Sequence, residues 1–169
     1  MDEISLKIIK ILQKKARIPN VEVARQVNLA PSAVLERIRK LEKQGIIDGY
    51  EVRLNPVTFN RDLVAFAYVY TAESTDKLET GTSLSKIPEI QEVHYITGED
   101  CYLIKIRIAN TKELHYLLRE KISKIKKVTS TKTMVALSTL KETSRIPLRN
   151  SDEMEKIPDI QHINEPSDV

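Results

Sequence analysis

Residues 20–45, NVEVARQVNLAPSAVLERIRKLEKQG, decide how this chain is read. The stretch holds two helical patterns separated by a turn. In residues 21–27, Val23, Ala24 and Val27 make a narrow apolar stripe, with Asn20 placed to cap it and Asn28 suited to the left-handed backbone of a tight turn. The second pattern opens at Pro31, a residue favoured at the first helical position, and runs to Gly45, which suits a C-terminal stop. Upstream, from Ser5, Leu6, Ile8, Ile9, Ile11 and Leu12 recur with helical spacing, and Pro19 ends the run. Three short helices, the last two joined by a tight turn, predict a helix-turn-helix.

A helical wheel divides the third helix by function. Val34, Ile38 and Leu41 fall in one narrow arc and predict the core face. Ser32, Leu35, Glu36, Arg39 and Lys43 populate the opposite half, with Ala33 and Lys40 toward one flank. Early positions of a recognition helix reach base edges, so Ser32, Ala33, Leu35 and Glu36 are candidate readers of a major groove. Arg39, Lys40 and Lys43 are placed for phosphates. Arg37 lies beside the core arc, where its head reaches either an acidic group or a phosphate. The plainer alternative is a solvated face of salt-bridged charges, against which the apolar Leu35 argues.

Working outward, the charge is uneven. Residues 1–50 hold ten Lys/Arg against six Asp/Glu, whereas residues 143–169 hold three against six, so the positive field sits at the N-terminal end of a chain whose net charge is only +3. That balance excludes a strongly basic coat protein. The single Cys101 excludes an internal disulfide framework, and His94, His115 and His162 have no metal-ligand spacing, so neither metal nor cofactor is expected. Charged residues interrupt every apolar run; a cytoplasmic protein without a membrane span is the expectation.

Beyond Gly45, IIDGYEVRLNP predicts a strand that serves as a short wing or a tether, and residues 50–62 are expected to form a hinge and linker between a DNA-binding domain at 1–49 and a second domain at 63–142. That second domain begins with the β-type run LVAFAYVYTA, followed by a helical segment, DKLETGTSLSKI, closing at Pro88. EIQEVHYIT and CYLIKIRIA flank a Gly98-Glu99-Asp100 turn, and Tyr102, Ile104, Ile106 and Ile108 alternate with Leu103, Lys105 and Arg107. Asn110 or Thr111 caps the helix KELHYLLREKI, and VTSTKTMVALSTL is the last strand. The order β-α-β-β-α-β predicts a ferredoxin-like sheet with both helices on one face and an uncovered face that needs a partner, in an α+β protein overall. Residues 143–169 read as an acidic C-terminal extension that docks on the body, shields the basic domain, seals an assembly or stays mobile.

Residues 2–142 resemble the leucine-responsive regulatory protein/AsnC, or feast/famine, family of regulators. The likeness lies in D-x-x-S-L-K-I-I-K-I-L-Q, in S-A-V-L-E-R-I-R-K-L-E-K-Q-G-I-I-D-G-Y, in P-E-I-Q-E-V, in T-G-E-D-C-Y-L-I-K-I and in V-T-S-T-K-T-M. Abundant Ile and Lys with no Trp suggest an archaeal source. The resemblance implies a helix-turn-helix joined to a RAM (regulator of amino-acid metabolism) domain. It implies dimers that assemble further, commonly to octamers, and amino acids or related metabolites bound between dimers. By position the effector site falls on Gly98, Glu99, Asp100 and Cys101 of the turn and on Thr131 and Thr133 of the last strand. Gly98 lets a carboxylate approach backbone N–H groups, and the two threonines present hydroxyls on one sheet face. The family usually carries Asp where this chain has Cys101, the acid here being Asp100. Either the loop turns Asp100 inward, or the ligand lacks that contact, or no small ligand binds.

The leading functional expectation is a regulator that binds a pseudo-palindromic duplex as a homodimer and responds to an amino-acid effector. An architectural DNA-binding protein without effector is the second. An enzyme like the sirohaem decarboxylases that share this domain plan is the third, and it is disfavoured because no acid/base or nucleophile constellation is present.

Overall fold

The computed structural model describes residues 1–72, 78–98 and 101–148. The chain forms two compact units, Met1–Val52 with the described part of Thr143–Val169, and Arg53–Glu142.

In the first unit, helix α1 (Glu3–Lys14) begins two residues before the expected Ser5, because the Asp2 carboxylate caps it by accepting from Ser5 N at 2.9 Å. Helix α2 (Asn20–Val27) is capped by Pro19 without a side-chain hydrogen bond, so Asn20 is the first helical residue and not the cap. The Pro19 carbonyl takes the N–H groups of Glu22 and Val23. Asn28 adopts φ 55°, the left-handed turn expected of it. Helix α3 (Pro31–Lys43) opens on Pro31, and Gly45 at φ +67° turns the chain away while Ile46 and Ile47 donate back to the Leu41 carbonyl. Ile8, Leu12, Val23, Ala24, Val34 and Ile38 form one buried cluster, and Leu41 is buried too, so the core arc is the one the wheel defines.

Residues 46–55 depart from expectation: they form no strand. Tyr50, Val52 and Leu54 alternate in sequence with Glu51 and Arg53, but all five are exposed, and no neighbouring strand pairs with them among the described residues. Backbone N–H and C=O groups without a ladder partner stay solvated, and alternation alone does not make a sheet. Tyr50 is tied instead to Glu42 at 2.9 Å; burial and that hydrogen bond push its phenol up to about 12.

The second unit opens with Asn55 accepting from Val57 N and a 3-10 turn over Val57–Phe59. Strands β1 (Leu63–Thr71), β2 (Ile90–Ile96), β3 (Cys101–Ile108) and β4 (Val128–Val135) lie in the order β2-β3-β1-β4, all antiparallel. This is the ferredoxin-like arrangement the element order predicts. Helix α4 (Glu79–Leu84) covers part of the predicted 76–87 segment, and residues 73–77 lie outside the described region. Helix α5 (Thr111–Tyr116), capped by Asn110 accepting from Glu113 N at 3.0 Å, widens into a π-helical turn over Leu117–Ile122. Leu84, Leu114, Leu117 and Ile122 pack on Ala65, Ala67, Val69, Tyr102, Ile104, Ile106 and Ile108, which puts both helices on one sheet face. Strand β4 stops at Val135, short of the predicted residue 140. The hydrogen bond from Ala136 N to Val64 O is its last tie to β1, and Leu137 and Leu140 beyond it are 100% and 96% exposed.

Gly81 is the closest approach in this core. A Cβ there would sit 2.6 Å from a Tyr102 ring carbon. The expected result of Gly81→Ala is therefore a loss of about 1–3 kcal/mol, as in other overpacked cores, read as a lower urea midpoint with an unchanged slope. An unchanged midpoint would mean that the ring moves freely.

Candidate nucleic-acid interface and effector region

The α3 surface is built by the same core contacts that bury Val34, Ile38 and Leu41. With that arc fixed, Ser32, Glu36, Arg39, Lys40 and Lys43 are exposed, and Ala33, Leu35 and Arg37 are half-buried. Leu35 is thus partly covered and not stranded among charges. Arg37 donates to Asp2 Oδ2 at 2.5 Å and Ser5 Oγ at 3.2 Å, so it braces α3 against the start of α1. Of its two sequence-level readings, the acidic partner is the one this fold uses. Hydrogen bonds from Ser5 and Arg37 hold the Asp2 carboxyl well below the usual carboxylate range.

Among the described residues the side chains of Arg39, Lys40 and Lys43 have neither an ion pair nor a hydrogen-bond partner. The salt-bridged reading of this face therefore does not hold for its three last cations. Three unpaired cations along roughly one helical turn, with Ser32 and Glu36 exposed near the N-terminal end, are what a helix in a major groove presents to phosphates and base edges.

The second unit places the effector candidates by register. Gly98, at φ +101°, is exposed with open space where a Cβ would be. Glu99 and Asp100 lie outside the described residues. Cys101 is buried and pairs with Ile96 on β2 and Tyr70 on β1. Thr131 and Thr133 pair with Val69 and Ala67, whose side chains point toward the helices. Directly paired residues share a face, so the threonines point to the helix face and Cys101 points to the other. The register joins Thr131 through Val69 to Tyr102 and Tyr95 in one cross-strand row, and the two tyrosine rings meet at 5.3 Å. Sequence reasoning missed this row, because β-propensity alone accounts for tyrosines in strands.

A charged cluster on the opposite face also went unseen. Lys105 bridges Glu92 at 2.9 Å and Glu142 at 2.5 Å, and Arg107 meets Glu142 at 2.6 Å. Arg107 also donates to Gln91 and to the Arg61 carbonyl, beside an open cavity of about 270 Å³ lined by Arg61, Pro88, Glu89, Gln91 and Arg107. Lys105 and Arg107 hydrogen bonds hold Glu142 below its ordinary value of 4.5 against the opposing effect of burial. A carboxyl depressed on folding contributes stability that is fully present above its unfolded pKa and lost as pH falls through its folded one. Glu142→Gln is accordingly expected to reduce stability at neutral pH and to flatten the fall in unfolding free energy below pH 4.5, measured by urea unfolding across pH. Parallel curves would show that the depression is absent in solution.

The model for "Winged helix-turn-helix DNA-binding" matches residues 1–48, and that for the "Lrp/AsnC ligand binding domain" matches residues 64–146. The leucine-responsive regulatory protein of Escherichia coli K12 is 34% identical over 151 residues, 88% of this chain and 92% of that protein. The chain belongs to the Lrp/AsnC family of transcription regulators. Two solved family structures superpose on this Lrp/AsnC chain. E. coli AsnC matches with a TM-score of 0.79 at 25% identity, covering 87% of this chain and 99% of that one. A transcriptional regulator of Neisseria meningitidis, described as an L-Met complex, matches with a TM-score of 0.81 at 29% identity, covering 87% and 96%. These relatives are bacterial, so the archaeal source suggested by composition has no support. They are transcription regulators, which lends nothing to the decarboxylase alternative. No helix among the described residues is long and apolar enough to cross a membrane.

Proposed function

We propose that this Lrp/AsnC family regulator binds a pseudo-palindromic DNA operator as a homodimer, reading bases with Ser32, Ala33, Leu35 and Glu36 and phosphates with Arg39, Lys40 and Lys43. The observation that carries this reading is the unpaired state of those three cationic side chains on a helix whose Arg37 and Glu42 are tied to Asp2 and Tyr50. Arg37 acts as a brace. Its pairing with Asp2 sets the angle at which α3 is presented. Residues 1–49 are the DNA-binding domain, 50–62 the linker and 63–142 the sensing domain of this cytoplasmic protein.

The effector is a small amino acid or a related metabolite, as the methionine bound by the Neisseria relative suggests. It meets Gly98, Glu99 and Asp100 at the turn and the hydroxyls of Thr131 and Thr133. Cys101 contributes backbone rather than its thiol, because the pleat turns that side chain to the other face. The second copy covers the sheet face of Phe66, Tyr68 and Tyr70, and the dimers assemble further, up to octamers.

Selection of bound fragments from randomised duplex DNA, at two salt concentrations and with or without pooled amino acids, tests the reading. An inverted repeat whose recovery changes with amino acids is the expected result. Salt-sensitive binding without a consensus would instead establish an architectural protein.

A further inference from the structure

We propose that the cationic face of α3 has a second, intramolecular occupant: the acidic segment 149–169 of the same chain, which contacts Arg39, Lys40 and Lys43 when DNA is absent and is displaced by phosphates. The proposal rests on the reading of α3 as the DNA face. It concerns residues 149–169, which lie outside the described structure and beyond the 64–146 span of the family's ligand-binding model.

Three observations lead to it. First, the chain delivers this segment to the helical unit. Residues 143–148 run against the C-terminal end of α1, where the Gln13 amide, once oriented with its nitrogen toward Ile146 O (3.1 Å) and its oxygen toward Ile146 N (3.3 Å), pairs with that backbone, and Arg145 Nη2 reaches the Lys14 carbonyl at 3.5 Å. A guanidinium at a helix C-terminus also meets the negative end of the helix dipole. Second, the charges are complementary. Residues 149–169 carry two basic side chains, Arg149 and Lys156, against six acidic ones, for a net charge of −4. The unpaired cations of α3 have no other acid committed to them among the described residues. Third, reach is not limiting. Extended backbone covers roughly 3.3 Å per residue, so the segment spans up to about 70 Å, several times the roughly 20 Å length of a helix such as α3.

Apolar residues add a second register. Met154, Ile157, Ile160 and Ile163 recur at every third position between the acids. The helical unit offers Val21, 59% exposed, and half-buried Leu35. A tethered segment competes at an effective concentration of about a millimolar, so even a weak contact lowers non-specific DNA binding. An operator that adds base contacts outcompetes the tail, whereas random sequence, held by phosphates alone, does so poorly. The tail thereby lowers affinity for every duplex by a common factor, so random sequence loses its occupancy while an operator with added base contacts keeps its own.

The test uses the full chain and a full-length variant with Asp152→Asn, Glu153→Gln, Glu155→Gln and Asp159→Asn. Lysine-selective acylation without DNA, with Lys112 of the second unit as internal reference, reads the contact directly. At about 0.02 M salt we expect Lys40 and Lys43 to react several-fold more slowly in the natural chain than in the variant, with the difference gone at about 0.5 M, where screening is short-ranged. Affinity for a random duplex is expected to rise about tenfold in the variant at the lower salt. Equal reactivity of Lys40 and Lys43 in the two chains overturns the proposal, as does a change of oligomer mass with no change in lysine reactivity. If the lysines differ but neither chain binds DNA, the tail contact stands and the reading of α3 as the DNA face fails.

Discussion

Replacing Arg39, Lys40 and Lys43 together with alanine is expected to weaken DNA binding on the order of 100-fold at about 50 mM salt, by a similar factor on every sequence. Each phosphate contact releases condensed counterions, so the log–log salt dependence should lose about 0.9 per contact, or roughly 2.7 for the three. Alanine keeps helix propensity, and all three side chains are exposed and unpaired, so the fold should persist. Ser32→Ala or Leu35→Ala should behave differently, changing preference between duplexes by about 1–3 kcal/mol per base contact with the salt slope intact. Anisotropy titrations against operator and random duplexes at several salts separate the two patterns. If both sets of variants lower binding equally on all sequences, α3 does not lie in a groove as described.

The second large effect comes from the core beneath that surface. Ile8 is fully buried at the centre of the cluster that holds α1, α2 and α3 together. Ile8→Ala is expected to cost about 2–5 kcal/mol, the sum of lost transfer energy and the cavity left behind. A helical unit of this size holds only a few kcal/mol of stability, so the substitution should unfold it. The second unit has its own core and should remain folded. The measurable consequence is a protein that loses helical circular dichroism and DNA binding together while keeping a cooperative unfolding transition. A fully folded variant with normal DNA affinity would show that the surrounding isoleucines and leucines close the cavity.

Much of this protein's plan was decided within short stretches of its sequence. Pro31, Asn28 and Gly45 punctuate the helix-turn-helix because each supplies a backbone conformation its neighbours resist, and the wheel of α3 separates core from surface because helical period is local. The alternation from Tyr102 to Ile108 likewise marks a strand with one buried face, and the burial pattern repeats it. What only the tertiary structure decided depends on residues that meet from far along the chain. Residues 46–55 carry strand alternation but form no strand among the described residues, because a strand exists only where another edge takes its hydrogen bonds. Arg37 pairs with Asp2, 35 residues away, and nothing near Arg37 in sequence chooses that acid over a phosphate. Cys101 and Thr131 were joined in one expected site by position alone, yet the pairing of β1 with β3 on one side and β4 on the other turns them to opposite faces. Period along one segment tells which side chains share a face, but the face each strand presents to its neighbours is set by register, and register is a property of the assembled sheet.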